Sequence, residues 1–149
     1  MSPSATTTTR DVSARASQAS SAITVKNTSE LAGRSLLAVL FLLSGLGKIG
    51  AYATTAAYMS AVGVPSVLLP VVIATEVLGA IAIIVGWQTR VSALLLAGYS
   101  LLAALIFHTN FADQIDMIMF LKNVSIAGGF LLLVANGAGP LSLDRRLAR

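Results

Sequence analysis

Residues 65–86 read PSVLLPVVIATEVLGAIAIIVG, an apolar run in which Glu76 is the only charged residue. A helix that crosses a bilayer needs about 20 mostly apolar residues, so this run predicts a transmembrane helix. A charge at mid-membrane costs at least about 2.5 kcal/mol, and such residues usually take part in a ligand or proton site. The run therefore predicts both a membrane span and a buried polar partner for Glu76.

Three further runs are almost as apolar, over residues 31–50, 90–108 and 117–137. The 149 residues are 56% hydrophobic and 11% charged, whereas a soluble domain has about 25% charged residues. Too little charge remains to cover a surface that faces water, so we predict an all-α integral membrane protein, a four-helix bundle. The four runs take up most of residues 30–146, which we interpret as a single membrane domain.

Composition also limits the chemistry that the chain can perform. It has no cysteine, which excludes disulfides, a thiol redox couple, iron–sulfur clusters and covalently attached haem. It has a single histidine, His108, and we expect no metal site. The net charge is +4, but the basic residues lie at helix ends and in the tails, so we expect contact with membrane lipid rather than with nucleic acid.

The ends of the chain set the expected orientation. Residues 1–29 are rich in Ser, Thr and Ala and lack the apolar core of a secretory signal, so we predict a disordered cytoplasmic tail. Four spans place both termini on one side, and only Lys48 and Lys122 fall on the other. Because basic residues collect on the cytoplasmic side, we predict that both termini are cytoplasmic. The basic residues of that side are Arg10, Arg15, Lys26, Arg34, Arg90, Arg145, Arg146 and Arg149.

The ionisable residues of the four runs share helix faces with small residues, which is typical of faces that pack inside membrane bundles. We predict that Glu76 pairs with Lys122, joined by Lys48 or Asn123, and that His108 closes the outer mouth of the bundle. Arg34 should extend to the cytoplasmic interface. A purely structural interpretation stays open, because a buried ion pair can fix helix register and a lysine near a helix end can extend to the interface.

Short motifs follow one another in a fixed order along residues 31–146. They are GRSLL at 33–37, FLLSGLGK at 41–48, EVLG at 76–79, GWQTR at 86–90, FH at 107–108, FLKN at 120–123 and GAGPLSLD at 137–144. In order and spacing they resemble the motifs of DoxX-like membrane proteins. The resemblance implies a four-helix bacterial inner-membrane protein in which Glu76, His108, Lys122 and Asn123 hold the positions where the family repeats polar residues.

The resemblance also implies a function, because members of that family are linked to quinone-dependent oxidation of sulfur compounds and to thiol stress. We therefore expect a membrane subunit of a quinone-linked redox or stress-response system. Its site residues would be Glu76, His108, Lys122, Asn123 and Lys48, with quinone as a non-covalent cofactor. Soluble redox enzymes, a second membrane subunit or a further copy of the chain are the expected partners. Two alternatives stay open, a scaffold that docks soluble redox enzymes and a small permease for anions or thiols, so the sequence does not decide whether the protein is an enzyme.

Overall fold

The computed structural model describes residues 9–148, with side chains described for residues 12–148. Within that range it contains helices and no strand. Four of the helices are long and apolar enough to cross a membrane, which confirms the predicted all-α membrane architecture. The helices are α1 (Thr9–Gly50), α2 (Tyr52–Ala61), α3 (Leu69–Val85, preceded by a 3-10 turn at Ser66–Leu68), α4 (Thr89–Phe107), α5 (Gln114–Asn136) and α6 (Leu143–Leu147).

Local sequence explains where the central helices begin and end. Pro70 lies in the first turn of α3, where the missing N–H costs nothing, and Gly86 ends the helix in the left-handed conformation at φ 71°. α5 begins at Gln114, three residues before the predicted start, because the Asp113 side chain accepts hydrogen bonds from the backbone N–H groups of Ile115 and Asp116. The bounds of the spans therefore follow from ordinary capping chemistry.

The first helix is longer than predicted. α1 begins at Thr9, so the segment 9–29, which we expected to be disordered, is helical; residues 1–8 lie outside the described residues. No glycine or proline interrupts residues 9–32, and extending an existing helix adds one hydrogen bond for each residue that becomes ordered. Every residue from Val12 to Lys26 is exposed, so this segment extends the membrane helix without packing against the bundle.

The four long helices pack in two pairs. α1 lies mainly along α3, α5 lies mainly along α4, and contacts between α3 and α4 join the pairs. Small residues sit at these contacts, as is usual for helices in lipid. At Gly45, for example, an added Cβ would lie 2.6 Å from the Val77 side chain. The buried apolar core consists of Ala38, Phe41, Ala80, Ile83, Ala93, Leu96, Ala97, Ala127 and Phe130.

The segment after α5 folds back over one end of the bundle, which we call the hairpin end because residues 86–88 join α3 to α4 there. Arg34 is only 2% exposed, and its guanidinium donates to the backbone carbonyls of Ala138 and Leu141. The expectation that Arg34 extends to the interface is therefore wrong. The carbonyls of the returning chain accept hydrogen bonds from both terminal amino groups of the guanidinium, so the side chain is held inside the protein instead of extending to water.

Asp144, near the start of α6, fastens the same segment to the hairpin. Its carboxylate accepts hydrogen bonds from the backbone N–H groups of Gln88 at 2.7 Å and Thr89 at 2.9 Å, and its own N–H donates to the Gly86 carbonyl at 2.8 Å. Burial raises the pKa of the Asp144 carboxyl, but hydrogen bonds from Thr89 and Gln88 and the nearby charge of Arg34 outweigh it and hold the pKa below its usual value. The carboxylate therefore stabilises the fold above its usual pKa, and this contribution is lost as the pH falls through the lowered pKa.

Candidate functional site

A cavity of about 490 Å³ opens at the end of the bundle opposite the hairpin. Residues from α1, α2, α3, α4 and α5 all line it, and most of the lining surface is apolar. This is the composition expected of a ligand pocket, in which a few polar groups fix the orientation of a mainly apolar molecule. The polar lining residues are Ser44, Lys48, Thr55, Tyr58, Thr75, Glu76, Tyr99, His108, Lys122 and Asn123, of which Thr55 and Tyr58 belong to α2.

The polar floor of the cavity is a hydrogen-bonded cluster of Ser44, Lys48, Glu76 and Tyr99, which we call the Glu76 network. The Lys48 ammonium lies 2.8 Å from Oε2 and 2.9 Å from Oε1 of Glu76. The Tyr99 hydroxyl donates to Oε1 at 2.7 Å, and the Ser44 hydroxyl donates to it at 3.2 Å while accepting from Lys48 at 2.6 Å. Glu76 itself is 2% exposed, so a nearly buried carboxylate has both of its oxygens hydrogen-bonded.

Helix geometry explains how the network assembles. Ser44 and Lys48 are four residues apart and therefore share one face of α1. The glycine between them, Gly45, lets that face approach α3 closely enough to reach Glu76. α4 supplies Tyr99, whose ring packs edge-on against Phe41 with centroids 6.2 Å apart. Three separate spans thus deliver charged or polar groups to one point.

The predicted pairing of Glu76 with Lys122 is wrong, because Lys48 takes that place. Lys122 is exposed, and its ammonium contacts the Met119 sulfur at 3.3 Å. The difference follows from the way the helices pair. α1 lies directly against α3, whereas α5 lies against α4 and carries Lys122 away from Glu76. Lys48, which we had expected only as an additional member of the pair, is the actual counter-ion.

The remaining predicted site residues line the cavity without joining the Glu76 network. His108 follows the last residue of α4, and its Nδ1 lies 3.4 Å from Oδ1 of Asp116. The Asn123 side chain donates to the Met119 carbonyl of its own helix at 2.9 Å. Lys122 and Asn123 form part of the α5 wall. The structure therefore places all five candidates, Lys48, Glu76, His108, Lys122 and Asn123, around one cavity but pairs them differently.

Sequence reasoning missed Tyr99. It is the only tyrosine within the apolar runs, and a buried tyrosine hydroxyl usually finds a hydrogen-bond partner. Together with the carboxylate of Glu76 in the middle of a span, that hydroxyl was the sequence feature that could have identified Tyr99 as a site residue. Sequence reasoning also missed the contribution of α2, where Tyr58 stacks on Phe107 with ring centroids 5.6 Å apart and helps to cover the cavity.

Comparison with known proteins places the chain in a family. The family model described as DoxX matches residues 29–109, more than half of the chain, and that range contains the whole Glu76 network. The chain belongs to the DoxX family. Lys122 and Asn123 lie outside the matched range.

Two relatives of this DoxX-family protein come from Escherichia coli (strain K12). Inner membrane protein YqjF is 50% identical over 117 residues, covering 78% of this chain and 90% of the relative. Inner membrane protein YphA is 42% identical over 123 residues, covering 78% of this chain and 88% of the relative. No solved structure matches the chain significantly. With its four apolar helices, the chain is a multi-pass inner-membrane protein of the DoxX type.

Proposed function

We propose that this DoxX-family protein is a membrane subunit of a quinone-linked redox system for sulfur or thiol compounds, and that its cavity binds the quinone ring. The observation that carries the proposal is the position of the Glu76 network, a set of charged and hydroxyl groups at the floor of an apolar cavity. A quinone needs such a site, because its ring is apolar while its two carbonyl oxygens need hydrogen-bond donors.

Two members of the network can serve as donors. The Tyr99 hydroxyl and the Lys48 ammonium both donate hydrogen bonds to Glu76 and could donate to a quinone oxygen instead. Reduction of a quinone to a quinol consumes two electrons and two protons, one proton for each carbonyl oxygen. Glu76 can accept a proton from water at the cavity mouth and pass it to a quinone oxygen, which is a common role for carboxylates inside membranes.

The electrons need a source outside the chain's own side chains. The protein has no cysteine and therefore no thiol couple that could pass electron pairs to a quinone. In this proposal a soluble redox enzyme or a second membrane subunit donates them, or an oxidisable sulfur compound does so directly at the cavity. The chain's part is to bind the quinone and to move its protons.

The charge distribution favours one orientation for this system. Basic residues dominate the hairpin end and the two termini, so we place both termini in the cytoplasm. The cavity then opens toward the outer face of the inner membrane. Donors and partners of the quinone reaction would approach from that side.

Quinone binding can be measured by fluorescence in lipid nanodiscs. The single tryptophan, Trp87, lies at the hairpin end, so a Trp87→Phe, Tyr58→Trp background puts the only indole beside the cavity. We expect decylubiquinone to quench this indole saturably, whereas decylbenzene, which has the alkyl chain without the carbonyls, binds more weakly. Tyr99→Phe should weaken quinone binding about tenfold, equivalent to about 1.4 kcal/mol.

The matched control is Tyr52→Phe, which removes the same hydroxyl from an exposed tyrosine outside the cavity lining. It should leave the quinone affinity unchanged. Equal affinities for decylubiquinone and decylbenzene, or a Tyr99→Phe variant that binds quinone as well as Tyr52→Phe does, would contradict the proposal.

A further inference from the structure

The charges that line the cavity do not balance. Lys48 and Glu76 neutralise each other at 2.8 Å. Lys122, on the α5 wall, forms no ion pair with any of the residues described between positions 12 and 148. The cavity lining, apart from His108 at its mouth beside Asp116, therefore carries one positive charge that no protein carboxylate compensates.

The surroundings of Lys122 make this charge unusual. It lies about 12 Å along the apolar helix α5 from its first residue, Gln114, at a rise of 1.5 Å per residue. Its ammonium has the Met119 sulfur as a neighbour at 3.3 Å, and a thioether is a weak acceptor without charge. Charged residues within membrane spans are usually paired or face a ligand pathway. Lys122 borders the cavity, so a ligand is positioned to supply its counter-charge.

The adjoining residue adds a second polar contact. Asn123 also lines the cavity, and its amide uses one N–H donor on the Met119 carbonyl at 2.9 Å. A side-chain amide has two such donors, so one is left for an oxygen atom of a ligand. A lysine and an amide donor side by side suit a group with several anionic oxygens, such as a carboxylate or a sulfonate.

The other lining residues are apolar and favour a ligand that carries an apolar chain or ring. Leu40, Leu68, Val71, Val72, Leu102 and Ile106 line the same space. Its volume of about 490 Å³ is within the range of about 300–1,000 Å³ that is typical for pockets that hold small organic molecules. A small inorganic anion would leave this apolar surface without a partner, whereas a molecule with an apolar chain or ring would cover it.

From these observations we infer that the cavity binds an amphipathic acid, with its anionic oxygens on Lys122 and Asn123 and an apolar chain or ring against the wall. The inference concerns the charge of the ligand and does not rest on the proposed quinone role. The same chemistry, an anionic oxygen group on an apolar body, is available from a free organic acid and from an anionic lipid.

The test compares three ligands with the same ten-carbon chain, using the Tyr58→Trp, Trp87→Phe reporter in nanodiscs of phosphatidylcholine. They are decanoate, decanol and decyltrimethylammonium, measured at a pH at which decanoate is ionised. We expect decanoate to bind at least about tenfold more tightly than decanol, a difference of about 1.4 kcal/mol. Decyltrimethylammonium should bind most weakly.

Variants of Lys122 test whether its charge causes the preference for decanoate over decanol. Lys122→Gln should lower the decanoate affinity to that of decanol, and Lys122→Arg should restore most of the preference because it keeps the charge. Lys26→Gln removes a lysine at the far end of the protein and should change nothing. Because Lys122 is exposed, none of these variants removes a buried contact. Equal binding of decanoate and decanol, or a preference that survives Lys122→Gln, would overturn the inference.

A further arm separates the two sources of the acid. Nanodiscs that contain phosphatidylglycerol present an anionic lipid headgroup next to the cavity. If the added lipid weakens decanoate binding to the unmodified protein but not to Lys122→Gln, the bilayer supplies the acid; if it has no effect, the acid is a free molecule. Tyr99→Phe should reduce quinone binding without altering the decanoate preference, so failure of one proposal is distinguishable from failure of the other.

Discussion

Glu76 and Lys48 depend on each other for their stability in an apolar environment. Removing one partner of a buried ion pair leaves the other charge uncompensated, which costs about 3–5 kcal/mol, whereas replacing both partners is often nearly neutral. We therefore expect Glu76→Gln and Lys48→Met each to lower the free energy of unfolding by about 3 kcal/mol. The double variant should recover most of that loss. Unfolding in mixed micelles, arranged as a double-mutant cycle, measures the coupling energy.

The exposed lysine Lys26 provides the matched control. It lies 3.9 Å from Glu30, four residues away on the same helix, and its side chain is 74% exposed. Surface pairs of this kind contribute about 0.3–0.5 kcal/mol, so Lys26→Met should have little effect. Additive losses in the Lys48–Glu76 cycle would show that the two side chains are not coupled.

What the sequence could predict about Glu76 follows from its depth. A carboxylate in the middle of an apolar run needs a partner, and this was sufficient to expect an ion pair inside the bundle. The identity of the partner was not accessible in the same way. Lys122 lies eight residues inside α5, whereas Lys48 lies two residues from the end of α1, so depth alone favours the wrong lysine. The choice of neighbouring helices decides between them.

That choice is made by the contact surfaces of the helices, and α1 against α3 is the contact that positions the Glu76 network. Gly45 lies in this contact. Adding a Cβ there would place it 2.6 Å from the Val77 Cγ2 atom and 3.2 Å from the Glu76 Cβ atom. We expect Gly45→Ala to push α1 away from α3 and to destabilise the protein by about 1–3 kcal/mol, the usual cost of overpacking. Thermal unfolding in detergent measures this loss.

The same helix contains a control two residues away. At Gly47 a Cβ would have no neighbour within 4 Å, so Gly47→Ala adds the same methyl group without a clash. It should leave stability unchanged or raise it slightly, because alanine is the better helix former. The Gly45→Ala variant should also weaken quinone binding, since it displaces Ser44 and Lys48 together. Equal effects of the two substitutions would mean that the contact is not tight.

Small residues in the apolar runs were sufficient to predict the inward faces of α1, α3 and α4, but not which two faces meet. On α5 the predicted inward face is wrong, because Lys122, Ser125 and Asn136 are exposed while Ala127 and Phe130 are buried. The sequence predicts Gly45, Gly79, Gly128 and Gly129 as contact points; all but Gly128, where an added Cβ would have no neighbour within 4 Å, lie at helix contacts. The partners of Gly45 and Gly79, Val77 on α3 and Leu96 on α4, depend on helix order and rotation within the bundle. Neither is encoded by one helix alone. The same limitation explains the incorrect assignment of Lys122 and the missed Tyr99.

The complete molecule is asymmetric along the membrane normal. α1 has 42 residues and is therefore about 63 Å long, about twice the thickness of the hydrocarbon core. Its last residue, Gly50, lies at the cavity end, so the surplus length projects beyond the hairpin end. There the C-terminal segment closes over the bundle through Arg34 and Asp144. One end of the protein thus carries a long exposed helix and a closed polar cover, and the other carries an open cavity.

The excess of basic residues at the hairpin end predicts that this end faces the cytoplasm, and single cysteines can test that orientation without background because the natural chain has none. Ser17, Ala112 and Ala148 are all exposed, and only Ala112 lies at the cavity end. In intact spheroplasts a membrane-impermeant maleimide should label Ala112→Cys, whereas Ser17→Cys and Ala148→Cys should react only after lysis. Labelling of Ser17→Cys before lysis would show that the protein has the opposite orientation. The cavity would then open to the cytoplasm, and any donor or acid that enters it would have to come from there.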